Sequence, residues 1–182
     1  LKELGIAVNC VPVLDVPQPD AHEVIGGRAY RSGRDQIMAL ARAHVAGFLD
    51  GGVLPVIKHI PGHGRAKADS HLSLPVVEAS RKELAAHDFP PFAAFADAPM
   101  AMTAHVVYTA LDKEAPATLS AKVIGQVIRK QIGFNGLLMT DDLSMKALTG
   151  SFEERTLRAL RAGCDVVLHC NGDMAEMAEV AA

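Results

Sequence analysis

Gly136-Leu137-Leu138-Met139-Thr140-Asp141-Asp142-Leu143-Ser144-Met145 is the stretch on which the fold turns. Its apolar half shows no polar–apolar alternation, the pattern of a strand buried on both faces in a parallel sheet. It closes on two adjacent carboxylates, which are costly at a buried strand end unless solvated, paired or used. Similar apolar runs occupy 6–14, 53–57, 99–103 and 166–168, and polar groups follow them: Asp15, Lys58 with His59, His105 and Asn171. Between the runs lie helical patterns with start and stop signals. The spacing of Ile37, Met38, Leu40, Ala41, Val45 and Phe48 predicts a helix over 35–49, stopped by Gly51. Ser80 with Glu83, and Ser151 with Glu154, have capping-box spacing. Ser120 can cap a helix that buries Val123, Ile124, Val127 and Ile128 and ends at Gly133.

Alternating strand and helix signals imply an α/β fold with a parallel sheet. The two architectures in play are a doubly wound open sheet and a (β/α)₈ TIM barrel. No glycine-rich phosphate turn follows any strand, which counts against a nucleotide-binding sheet. Reactive groups after several different strands are the mark of a barrel's C-terminal face. A full barrel takes eight strands and about 250 residues, whereas five strand–helix units are legible among these 182 residues. The expectation is one incomplete catalytic barrel domain spanning 1–182.

Composition narrows the function classes. A net charge of −3 argues against nucleic acid as the main partner, because phosphate binding needs a basic face. No apolar run approaches the roughly 18 residues of a membrane span. Cys10, Cys164 and Cys170 are odd in number and sit in apolar contexts, which suits buried thiols in a reducing compartment. The sequence starts at Leu1 rather than Met, so the true N-terminus is expected upstream.

The loop Lys58-His59-Ile60-Pro61-Gly62-His63-Gly64-Arg65-Ala66-Lys67-Ala68-Asp69-Ser70-His71 concentrates imidazoles, cations and one carboxylate. Loops of this length and composition inside a compact domain are functional or disordered. Asp69 stands close enough to His71 to orient its ring and tune it for proton transfer. His59, His63, His71 and Asp141 are also metal-ligand types, though their spacing matches no helix-borne zinc motif. Asp141 suits a nucleophile, a metal ligand or a hydrogen-bond acceptor, while Asp142 suits a helix cap. Arg28, in a glycine-containing loop, offers a fork of donors for an oxygen-rich ligand. His105 reads as a structural hydrogen-bonding group, and Met100, Met102, Met139 and Met145 as core or pocket wall.

Taken together, 58–64, then Asp69-Ser70-His71 and Pro75, resemble the catalytic loop of bacterial family 3 β-N-acetylglucosaminidases. Val127-Ile128-Arg129 through Gly136-Leu137-Leu138-Met139-Thr140-Asp141 and Ser144 resembles that family's nucleophile signature. Asn9 with Pro12-Val13-Leu14-Asp15-Val16, and Met102-Thr103-Ala104-His105-Val106-Val107-Tyr108, fit in order and spacing. The resemblance implies a barrel lacking here its first two strands and its last. It implies removal of terminal β-linked N-acetylglucosamine from anhydro-muropeptides in cell-wall recycling, by a cytoplasmic monomer that needs no metal or cofactor. By motif position Asp141 is the nucleophile, His71 the general acid/base and Asp69 its partner, while Arg28, Lys58 and His59 hold the sugar. The glycines around His63 are expected to let the loop carry His71 in and out of the site. Two other readings remain: a metal-dependent hydrolase using His59, His63, His71 and Asp141, and a non-catalytic sugar-binding fragment.

Overall fold

Parallel strands form at the apolar runs. In the computed structural model, which describes residues 1–30 and 33–182, β1 (Val8–Asn9), β2 (Leu54–Ile60), β4 (Met100–Thr103), β6 (Leu137–Asp142) and β7 (Val166–Leu168) make one sheet. Its order is β1-β2-β4-β6-β7 and every neighbouring pair is parallel. Helices fill the connections: Arg34–Asp50, a helical run over 81–93, Val123–Ile132 and Phe152–Ala162, with Met174–Ala181 after β7. Two short strands, β3 (Val76–Val77) and β5 (Val107–Tyr108), pair separately in the connections on either side of β4. Nothing in a two-residue strand distinguishes it from loop sequence, so this pair is new to the structure.

The boundaries differ from expectation at two places that matter to the site. The first run yields only Val8–Asn9, because Pro12 has no amide hydrogen for the ladder. The chain rejoins at Val13, which bridges Lys58, and the Leu14 amide donates to the Lys58 carbonyl at 2.7 Å. β2 runs on to Ile60, so Lys58 and His59 sit on a strand rather than in the loop. The β2–β4 register shifts between Lys58 and Ile60, an irregularity of the kind that re-aims a side chain.

Strand alternation sorts side chains between two faces. Ile57, Ala101 and Leu138 join Phe92, Ile128 and Phe134 in the main core under the helices. Their neighbours Val56, Met102 and Met139 form a separate cluster on the other face. Two residues further along the same strands come Lys58 and Asp141, which therefore rise above that second cluster.

The helices are held as their caps predict. Ser80 and Ser151 each make both bonds of a capping box, and Ser120 Oγ accepts the Val123 amide at 3.1 Å. Val123–Ile132 adopts the wider π-type winding and buries the four expected residues together with Ile132. Arg129 on this helix donates to the carbonyls of Phe134 and Gly136 and to Asp165, fixing where β6 begins. On Arg34–Asp50, Ile37 and Ala41 are buried, but Leu40 lies at the margin of the stripe and is 44% exposed.

Candidate active site

A cavity of about 270 Å³ opens at the C-terminal ends of the strands. It gathers Arg28, Lys58, His59, His71 and Asp141, five of the six residues singled out in the sequence. The sixth, Asp69, stands behind His71. Cys10, Met102, Leu168 and Cys170 give the cavity a softer, sulfur-rich wall.

Asp141 lies near the end of β6 and is 8% exposed. Burial pushes its carboxyl up, but the imidazoles of His59 and His105 and the Asp142 amide outweigh burial and bring it below the ordinary range. That amide donates to Asp141 Oδ1 at 2.9 Å. The group is thus an ionised carboxylate in a largely water-excluded place, the state a nucleophile requires. Asp142 is turned elsewhere: it accepts the amides of Ser144 and Cys170. No helix starts there, so Asp142 anchors a turn instead of the helix cap its sequence position suits.

His59 faces Asp141 with Nε2 3.9 Å from Oδ2. Its Nδ1 hydrogen-bonds Asp15 at 2.6 Å. Asp15 is completely buried and also accepts the amides of His59 and His63, at 3.2 and 2.6 Å. Burial alone would raise its carboxyl, but His59 and His63 bring it below the ordinary range. The sequence flagged Asp15 only as a polar residue after a strand. The available signal was a carboxylate closing an apolar run, the same one that marked Asp141.

His71 is the exposed member, its side chain 52% accessible. Asp69 Oδ1 accepts both its backbone amide at 2.9 Å and its ring Nδ1 at 2.7 Å. A carboxylate only accepts, so Nδ1 carries the proton and Nε2 is left for chemistry. Those bonds outweigh a raising effect of burial and lower the Asp69 carboxyl. The loop tip also docks on the segment after Asp141: the Ser70 and His71 carbonyls accept the amides of Ala147 and Lys146.

Gly62 and Gly64 have a different role from the one expected. A Cβ on Gly64 would lie 2.1 Å from the Val16 carbonyl oxygen, and one on Gly62 would lie 3.0 Å from Asp88 Cβ. Tyr108 donates to the Gly62 carbonyl at 2.8 Å, and the Gly64 carbonyl accepts the Gln18 amide. These glycines allow close packing, and the base of the loop is clamped.

Arg28 borders the cavity from the short 3₁₀ turn Gly26–Arg28, steadied by donating to the Val24 carbonyl. His63 is buried, and desolvation with repulsion from His59 lowers it to about 4, so it is neutral. His105 hydrogen-bonds Thr118 through Nδ1 and the Asp142 carbonyl through Nε2, as a structural histidine does. Among the described residues no three His, Cys, Asp or Glu side chains are placed to share a metal ion.

Fold and site define a class first: a parallel α/β domain that gathers a buried carboxylate and an Asp–His dyad at its C-terminal strand ends, as hydrolytic enzymes do. Residues 1–182 match the glycosyl hydrolase family 3 N-terminal domain. The chain is 43% identical over 175 residues to a β-hexosaminidase of Alkalilimnicola ehrlichii, covering 94% of itself and 50% of that protein. Its fold is similar to a family 3 β-N-acetylglucosaminidase of Paenibacillus sp., with a TM-score of 0.88 at 36% identity over 92% of this chain and 33% of the other. NagZ of Neisseria gonorrhoeae, solved with N-trifluoroacetyl-D-glucosamine, gives 0.84 at 38% identity over 93% and 49%. The chain belongs to glycosyl hydrolase family 3. It spans about half the length of the curated relatives it matches.

Proposed function

We propose that the protein containing this chain is a retaining β-N-acetylhexosaminidase of the NagZ type, acting on terminal β-linked N-acetylglucosamine of anhydro-muropeptides in peptidoglycan recycling. The observation that carries the reading is a buried, ionised Asp141 sharing one cavity with His71, whose ring is oriented by Asp69. Relatives named β-hexosaminidase support the sugar class. In this reading the parallel sheet is part of a (β/α)₈ barrel, the protein works as a monomer, and its three free cysteines suit the cytoplasm.

Asp141 attacks the anomeric carbon as the glycosidic bond breaks, and His71 gives the Nε2 proton to the departing oxygen. The neutral ring then takes a proton from water, which releases the sugar from Asp141. Retaining enzymes usually set two carboxyl groups about 5–5.5 Å apart. An imidazole instead avoids a second anion beside the nucleophile, and Asp69 stabilises the charged ring as in a hydrolase dyad. Arg28, Lys58 and His59 hold sugar hydroxyls.

A 5-fluorinated N-acetylglucosamine donor with a good leaving group should label Asp141, read by peptide mass spectrometry. Asp141→Ala should abolish turnover. Labelling at another carboxylate, or an active variant, would sink the assignment.

A further inference from the structure

Asp15 is the most deeply buried charge near the cavity, and the mechanism above gives it nothing to do. It is 0% exposed. A carboxylate is kept there only if its oxygens are paired, and they are. Oδ2 meets the His59 ring at 2.6 Å, and Oδ1 meets two backbone amides, those of His59 and His63. One side chain therefore ties the strand-end imidazole to both ends of the turn 59–63. Asp15 is itself fixed by its neighbours, since Val13 bridges Lys58 and the Leu14 amide donates to the Lys58 carbonyl.

We propose that Asp15 is a positioning residue for this active site: it holds the His59 proton on Nδ1 and aims Nε2 at the sugar-binding space beside Asp141. An ionised carboxylate has no proton to donate, so the ring nitrogen it meets must carry one in either charge state of His59. Nε2 is then the only ring nitrogen that trades protons or hydrogen bonds with the cavity. Its 3.9 Å separation from Asp141 Oδ2 is too long for a hydrogen bond and leaves room for a hydroxyl near both atoms. The His63 ring packs against the His59 ring in a T-shaped arrangement, 5.6 Å between centroids. The inference rests on the proposed glycosidase site, but its principal test does not need turnover.

In the full-length active protein, nitrogen-15 imidazole shifts, assigned with His59→Gln, should show a protonated Nδ1 on His59 at working pH. A bare Nδ1 overturns the proposal without any Asp15 variant. Asp15→Asn keeps a carbonyl for the backbone amides but offers an N–H to the ring, which drives the proton to Nε2. The folded variant should show that inverted tautomer and lose at least about tenfold in kcat, since a wrong tautomer disables an imidazole whose geometry is intact. A fall in melting temperature alone, with tautomer and kcat unchanged, would reduce Asp15 to a structural role. If Asp141→Ala remains active the glycosidase reading fails, whereas loss there with a normal Asp15→Asn removes only this inference.

Discussion

His71 and Asp88 show how single side chains separate function from stability. Removing His71 should depend on the leaving group. His71→Ala is expected to cut kcat/KM by about 10²–10⁴-fold on unactivated glycosides, and far less on aryl glycosides whose leaving groups need no proton. Equal losses on both would remove the acid role. Asp88 is 1% exposed and accepts from Arg65 at 2.7 Å, yet burial pushes its carboxyl from 3.8 up to about 6. Between those values the folded protein binds more protons than the unfolded chain, so the stability tied to Asp88 declines as pH rises through the window. Asp88→Asn does not titrate, and its stability relative to the parent should therefore climb by at most about 3 kcal/mol across that range. Denaturant melts at several pH values measure this, and a flat difference would contradict it. Asp141 stood out as a carboxylate closing an apolar strand, and His71 with Asp69 as a closely spaced pair in a loop rich in imidazoles. Asp15 carried the same mark as Asp141, but its pairing was not legible, because its partners lie 44 and 48 residues away in the chain. Only folding reveals that it belongs with His59.

At the scale of elements, capping and close packing give contrasting tests. Ser151 Oγ accepts the Glu154 amide, and the Glu154 carboxylate accepts the Ser151 amide. Ser151→Ala should cost about 1 kcal/mol and leave kcat unchanged, since no residue of Phe152–Ala162 lines the cavity. Gly64→Ala meets backbone, which cannot swing aside as a side chain can. Thermal melting should show a large loss, with activity falling as the loop base is displaced; parental stability would mean that Val16 and Gly64 are not in contact. Helices and central strands were readable because their apolar spacing and caps are local properties. The extension of β2 through His59, the π-type turns and the β3–β5 pair depend on what lies opposite each segment. Local sequence carries little of that.

For the molecule as a whole, the sheet pairs β1 and β7 on one side only. Unpaired strand edges template association. Residues 1–182 expressed alone are expected to self-associate, measured by light scattering against a chain of the relatives' full length, which should stay monodisperse. The parallel sheet was legible at this scale from five apolar runs and their intervening helices, but its edges were not, since pairing order is a property of the assembled sheet. The clamped base and docked tip of the acid/base loop carry a practical corollary. Tyr108, Gln18 and His22 secure 62–66, while Ala147 and Lys146 secure Ser70 and His71. Between the two moorings only Lys67, Ala68 and Asp69 span the gap, and Lys67 is exposed. A fluorescent reporter after Lys67 would thus sit between the two moorings, tethered there by the Lys67–Asp20 ion pair, and a change in its emission on adding substrate would report movement of the loop, whereas constant emission would count against it.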